Sequence, residues 1–361
     1  MSKRKFPSSA CVHDGPFHAD DVMAVALVTI INPNMKIIRT RDEVELQKAE
    51  MRIDVGGKYN PTTFDFDHHL EDNEIKRYPN FLWSREERIG PKLSGIGLVW
   101  EHYGMQAIRM FLEKEHKLHL TMSQMTTIFE NVKRNLIIPI DIEDNGEQRE
   151  YFGSNVSPFR PLTINAIIQS LVPQIRDENL NDSEEAIDNA FHYAVSVAQK
   201  VLKGNILRQY YSVHDVEILK ALLLKHDKSP IFVLPKICSW QYALIALERL
   251  REPNLTEIIR SIDFVIYPVP SATKGKYNWM VQPTKAWNKE KQMYDMKFPL
   301  AENLRGKKIN ELIEISRIPT LTFVHPSGFI GGAVEQEDAI KLAEYTINYI
   351  KEIEYGRTSN N

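Results

Sequence analysis

Four short stretches carry residue types that can do chemistry. The first is "DFDHH", Asp65 to His69, with two aspartates alternating ahead of two adjacent histidines. Side chains alternate along a strand, so Asp65 and Asp67 share a face, while His68 and His69 face opposite ways if the strand continues. The second is "HDGPFHADD", with His13, His18 and Asp20; the third is "RIDVGG", with Asp54. The fourth is "DIEDNG", with Asp141 and Asp144 at helical i, i+3 spacing and hence on one face. Singly, each has an ordinary explanation: a loop histidine at His13, a turn former at Asp54, a helix-end residue at Asp144. His102, His116 and His119 lie on helical stretches and are read as structural.

Together the four stretches ask for a cation. Clustered carboxylates repel one another and stay ionised only beside positive charge. Imidazole with carboxylate, and no thiolate, suits Mn²⁺, Co²⁺, Fe²⁺, Mg²⁺ or Zn²⁺ in an open site rather than a structural zinc. Six or seven such ligands suit two ions. A pair about 3.5–4 Å apart is the usual device for attacking a phosphorus ester, because it acidifies a water and neutralises developing charge.

The elements that must position these residues alternate between strand and helix. "ACVHDG" reads as a strand entering a turn, "HADDVMAVALVTIIN" as a helix and "KIIRTRD" as a strand. "ELQKAEMRIDVGG" gives a short helix and a strand ending at Asp54, and "TTFDFDHH" a further strand. That order predicts parallel βαβ units, with three of the clusters at strand carboxyl ends, where open α/β sheets bind ligands. Residues 71–90 read as an irregular, mobile loop. "SGIGLVWEHYG" opens a helical stretch, and "QMTTIFENVKRNLIIPIDIEDNG" contains a helix closing at Asn145-Gly146. A long amphipathic helix is expected over 181–212, with a junction between domains 1–205 and 206–361 near its end. The strands "PIFVLP", "IDFVIYP", "YNWMVQP" and "LTFVHP" and a closing helix then form a second, smaller α/β domain.

Bulk composition narrows the classes. A net charge of −3 announces no polyanion binder, so any such site must be a local patch. Two cysteines, Cys11 and Cys238, cannot build a disulfide framework and fit a reducing compartment. No run approaches the ~18 apolar residues of a membrane span. The amino terminus lacks an apolar signal core, so an intracellular place is expected: nucleus, cytoplasm or mitochondrion.

The combination of motifs resembles the DHH phosphoesterase superfamily, and within it the melanocyte proliferating gene family (uncharacterised protein family 0160). The resemblance rests on His13 to Asp21, Asp54 to Gly57, Asp67 to His69, Lys92 to Leu98, Asp141 to Gly146 and Phe323 to Gly332. It departs at Asp21 for a usual Glu, at Gly95-Ile96 for Ser-Ala, and at Ala333 for a polar residue. It implies a DHH-type parallel-sheet catalytic domain plus a smaller α/β substrate domain, and 3′–5′ exonuclease action on RNA with two divalent ions, Mn²⁺ favoured over Mg²⁺ or Co²⁺. By motif, His13, His18 and Asp54 would hold one ion; Asp20, Asp54 and His68 would hold the other. His69 would face the scissile phosphate, Asp67 would orient or ligate, and Asp144, helped by Asp141, would complete the site. Lys92 and Ser94 would touch substrate.

Residues 271–310 carry nine Lys or Arg against three acids, interleaved with Tyr277, Trp279, Trp287, Tyr294 and Phe298. Basic and aromatic groups together grip single strands, RNA favoured here, and Trp279 and Lys285 are the expected contacts. A solvated charged loop is the competing reading. "HPSGFIGG" adds His325, Ser327, Gly331 and Gly332, where glycines let backbone N–H groups approach an anion, unless the segment is a tight strand-to-helix turn. Two rivals to a nuclease stand: a DHH-type phosphatase or pyrophosphatase acting on small nucleotides, and a metal-stabilised RNA-binding scaffold without turnover. Oligomeric state stays open, a homodimer included.

Overall fold

The computed structural model describes residues 5–71, 76–79, 81–83, 86–88, 90–153, 162–173 and 180–358. They divide into two compact units, Met1–Tyr210 and Tyr211–Asn361. Both units are mixed α/β with sheets containing parallel strands.

In the first unit the order is β1 (Ser9–Val12), α1 (Ala19–Ile31), β2 (Lys36–Arg39), α2 (Glu43–Lys48), β3 (Met51–Ile53), β4 (Tyr59–Asn60) and β5 (Asp65–Phe66). The sheet order is β2-β1-β3-β5-β4. β2, β1, β3 and β5 run parallel, and β4 is an antiparallel edge. The chain moves outward from β1 in both directions, so the carboxyl ends of β1 and β3 form a switch point, the place where open sheets leave a crevice. α1 is buried nearly all round and packs on the helix Gly95–Arg109, which explains its run of small and aliphatic residues without a polar stripe.

Residues 71–90 are not wholly irregular. β6 (Phe81–Trp83) and β7 (Glu86–Arg88) pair as an antiparallel hairpin, and Arg77 bridges to Lys92; the rest of this segment lies partly outside the described residues. α3 (Gly95–Arg109) and α4 (Met122–Val132) follow. Between α4 and α5 (Ile138–Asp144) lies a five-residue π segment, Lys133–Ile137, just ahead of Pro139. Such segments re-aim the side chains downstream of them. α6 (Gln148–Phe152) and α7 (Ile164–Ser170) complete this part.

α8 runs Leu180–Leu223, past the expected end at 212. Its apolar stripe does not stop there: Leu219 and Leu223 are fully buried and Val216 packs beside them. In the second unit the order is β8 (Ile231–Val233), α9 (Trp240–Arg249), α10 (Pro253–Ser261), β9 (Phe264–Pro270), β10 (Tyr277–Pro283), β11 (Lys285–Asn288), β12 (Met293–Met296), α11 (Ile309–Ser316), β13 (Leu321–Val324), β14 (Gly331–Ala333) and α12 (Gln336–Thr358). The sheet order is β13-β14-β10-β9-β8, with only β8 and β9 parallel. β9 explains the layering. Phe264 and Ile266 point into one apolar cluster, Val265 and Tyr267 into another, as in a strand covered on both faces.

Candidate metal centre

Three strand ends bring the amino-terminal clusters together. His13 follows β1, Asp54 follows β3, and Asp67 and His68 follow β5. Asp20 sits in the first turn of α1 and Asp144 in the last turn of α5. His68 Nε2 lies 3.1 Å from Asp54 Oδ1, 3.4 Å from Asp144 Oδ2 and 3.9 Å from Asp20 Oδ2. His13 Nε2 lies 3.5 Å from Asp54 Oδ2. Asp54 thus turns one oxygen to each histidine. Its φ is +54°, in the left-handed region that short polar side chains tolerate best and that functional sites often use.

Among the described residues, two groups bring ligand atoms close enough to share an ion: Asp54, His68 and His69, and His18, Asp20 and Asp144. The motif resemblance groups them otherwise, with His18 beside His13 and Asp54. His13 and His18 remain neighbours, with ring centroids 5.8 Å apart.

The donor set fits a cation. Asp20 Oδ1, Asp21 Oδ2 and Asp54 Oδ1 are buried with no well-formed hydrogen bond. Burial, reinforced by the neighbouring Asp54 carboxylate, holds Asp20 and Asp21 well above the usual carboxylate range. Burial also raises Asp144. Burial lowers His13, favouring the neutral imidazole that a metal requires. At His68 burial pulls the same way, but Asp54 and Asp144 outweigh it and leave it raised. A divalent ion supplies the positive charge that these carboxylates lack.

His68 and His69 do not face opposite ways. β5 ends at Phe66, because the Asp67 carboxylate accepts from the backbone N–H groups of His69 (3.0 Å) and Gly57 (2.6 Å) and turns the chain. Both rings then lie against Asp54 Oδ1, at 3.1 and 3.5 Å, with centroids 4.2 Å apart. What separates them is exposure. The His68 side chain is 11% exposed and that of His69 67%. His69 Nδ1 is held by Asp67 at 2.9 Å, a bond that raises the imidazole. Burial works against the Asp67 carboxylate, yet the bonds from His69 and Gly57 leave it lowered. Asp65 is taken by Arg52 and Thr63.

Asp141 and Asp144 occupy different environments. Asp141 is fully buried and accepts from the Ser94 hydroxyl (2.6 Å), Ser94 N–H (3.1 Å), Gly97 N–H (3.2 Å) and the Tyr78 hydroxyl (2.6 Å). Burial pushes it up to about 7, against the pull of Ser94 and Tyr78. Ser94 is fully buried, and the turn it starts aims Gly95 N–H at Asp20 Oδ2, 3.2 Å away. Gly97 leaves no room for a side chain, since a Cβ would stand 2.8 Å from Asp141 Oδ1. Gly97→Ala is therefore expected to lower stability by about 1–3 kcal/mol, as overpacking does, measured by urea unfolding. A variant as stable as the parent would mean that Asp141 yields.

Sequence reasoning missed Asp21 and Tyr78. Asp21 is fully buried, caps α1 through His18 N–H (2.9 Å), and sits 3.2 Å from His13 Nε2. Its position three residues after a helix-capping residue was the available signal. Tyr78 lies in the stretch read as irregular.

The remaining expected contacts have these surroundings within their own units. Lys92 is half-buried and its N–H donates to Glu147. In the second unit, Lys285 is exposed on β11, paired with β12, so the basic segment contains a hairpin rather than only loop. Trp279 is partly buried against the core, whereas Trp287 is 45% exposed. His325 and Ser327 bond one another at the exposed β13–β14 turn. "HPSGFIGG" is thus a hairpin, not a strand-to-helix turn. Gly331 and Gly332 are buried in a strand paired on both sides, where a Cβ would meet Leu300, Leu342 and Phe323 within 2.9 Å. Close packing accounts for these two glycines.

Comparison with known proteins agrees with the motif pattern. The family model for MYG1 exonucleases, described as Uncharacterised protein family (UPF0160), matches residues 9–347. The chain belongs to this family. A "MYG1 exonuclease" of Rattus norvegicus is 30% identical over 357 residues, covering 94% of this chain and 85% of the relative. A "MYG1 protein" of Saccharomyces cerevisiae is 29% identical, covering 95% and 96%. A "MYG1 exonuclease" of Homo sapiens is 28% identical, covering 96% and 87%. Among solved structures, a pGpG-specific phosphodiesterase from Vibrio cholerae aligns over 95% of this chain and 99% of its own at 13% identity, with a TM-score of 0.24, too low to bear on fold or function. Among the described residues of this UPF0160 member, no helix is long and apolar enough to cross a membrane.

Proposed function

We propose that this UPF0160 chain is a metal-dependent phosphodiester hydrolase of the DHH type. It acts as a 3′–5′ exonuclease on single-stranded RNA and releases nucleoside monophosphates. The observation that carries the reading is the trio of buried carboxylate oxygens on Asp20, Asp21 and Asp54 that lack a well-formed hydrogen bond, with His13 turned toward Asp21 and Asp54 and His68 toward Asp54. The relatives named exonucleases support the reaction class.

His13, His18, Asp20, Asp54, His68 and Asp144 would hold two divalent ions, Mn²⁺ favoured. When bound, the ions supply Lewis acidity and neutralise charge developing on the phosphate. Asp54 sits where both sets of ligands can reach it. Asp141 is a positioning residue, because its oxygens are already occupied by Ser94, Gly97 and Tyr78. His69, exposed and oriented by Asp67, is placed to donate to a substrate oxygen. Lys285 and the aromatic faces of the second unit would hold the strand.

The test is turnover by the full chain in Mn²⁺ on 5′-labelled single-stranded RNA, single-stranded DNA and pyrophosphate. Stepwise shortening of the RNA from its 3′ end, with nucleoside monophosphate as product, is expected. Hydrolysis of pyrophosphate alone would transfer the site to small substrates, and no hydrolysis of any substrate would reject the enzyme.

A further inference from the structure

Two cavities of the first unit meet at the Val55-Gly56-Gly57 turn that follows Asp54. The smaller, about 320 Å³, is the pocket of the candidate metal ligands, with His13, His18, Asp54, Asp67 and His69 in its wall. The larger, about 950 Å³, is lined by Gln47, Lys58, Tyr59 and Asn60 among others. Arg41, Val55, Gly56 and Gly57 line both. Nothing blocks the junction at Gly57, where even an added Cβ would find no atom within 4 Å.

The charges in the larger cavity are unevenly committed. Arg52 is spoken for by Asp65 and by the carbonyls of Leu46, Ala49 and Thr63. Among the described residues Arg41 pairs only with Asp14, at 3.2 Å, and both side chains are more than half exposed, an arrangement that binds weakly. The Lys58 ammonium has no ion pair or hydrogen bond among the described residues. Against these two available cations stands one uncommitted carboxylate, Glu43. A guanidinium at the junction and an ammonium in the larger cavity are the groups that bind backbone phosphates, the guanidinium by its two-pronged geometry. A cavity near the top of the usual ligand-site range has room beyond one nucleotide.

We infer that a single strand leaves the smaller pocket over the Gly56-Gly57 turn and enters the larger cavity. Arg41 holds the phosphate next to the one cleaved, and Lys58 the phosphate after it. This rests on the hydrolase reading above and specifies its substrate as a chain of at least three phosphates, not a mononucleotide or pyrophosphate. It also places part of the strand grip within the first unit.

The experiment is fluorescence anisotropy of a fluorescein-labelled hexa-adenylate RNA on the full chain in Ca²⁺. Arg41→Ala and Lys58→Ala are compared with Lys36→Ala, an exposed lysine on β2 that lines neither cavity. Each of the first two should weaken binding about tenfold, as loss of a hydrogen bond to a charged group does. Each should also lower the salt slope by about 0.7. Lys36→Ala should change neither. A 5′-phosphorylated dinucleotide competitor, which carries two phosphates, should lose affinity with Arg41→Ala but not with Lys58→Ala. No binding by the unaltered chain, equal affinities for all variants, or an equal loss in Lys36→Ala overturns the path. Binding with the expected pattern, but no cleavage when Mn²⁺ replaces Ca²⁺, sinks the hydrolase reading and leaves the strand path standing.

Discussion

Asp54→Asn is expected to lower turnover at least about a thousandfold, the scale of losing a preorganised charge at a reacting centre, while the fold survives. Both Asp54 oxygens face histidines from separate strands, Oδ2 toward His13 and Oδ1 toward His68 and His69. Removing that one negative charge weakens both ion positions, so elemental analysis should show metal content falling by more than one ion per chain. Asparagine is the apt replacement because the backbone at this position has a positive φ, which Asn tolerates nearly as well as Gly. Circular dichroism should therefore match the parent. Unchanged metal content together with unchanged rate would reject a bridging role.

His68→Ala and His69→Ala should fail differently. His68 is the buried partner, within 3.9 Å of three carboxylates, and its loss should weaken metal binding so that excess Mn²⁺ restores part of the rate. His69 is exposed and fixed by Asp67. Its loss should leave metal content intact and lower the rate about a hundredfold, or ~3 kcal/mol, as when one preorganised donor is deleted. Excess Mn²⁺ should not restore it. A rate-versus-Mn²⁺ titration of the two variants decides the matter; equal rescue would make both of them ligands.

The division between the two histidines follows from burial and not from strand geometry. Alternation along "DFDHH" suggests opposite faces, and it fails because Asp67 closes a turn with its own carboxylate. That bond depends on Gly57 and His69 meeting Asp67 in space, which no periodicity records. The strand ends themselves were legible. His13, Asp54 and Asp67 each follow a short strand-like stretch, and parallel sheets put ligands there. The hydrogen bonds that occupy Asp141 were not legible, because its partners Ser94 and Tyr78 are remote in sequence. The same holds for the π segment Lys133–Ile137, whose residues look like ordinary helix. In the second unit, the glycines of β14 carry the same residue types as an anion loop. Only their pairing with β10 and β13 separates the two.

The contact between Phe17 and Phe191, with ring centroids 5.7 Å apart, bears on the order in which the chain is made. Phe17 lies in the loop between His13 and His18, and Arg39 spans the contact, its guanidinium 4.7 Å from the Phe191 ring while it bonds Gly15 O. Every residue proposed for the metal centre lies before Asn145, yet Phe191, the ring that packs on this loop, arrives only with α8. On a ribosome, the whole ligand set emerges well before that ring. Until α8 is made, the Phe17 ring lacks the Phe191 partner that it packs against in the finished fold.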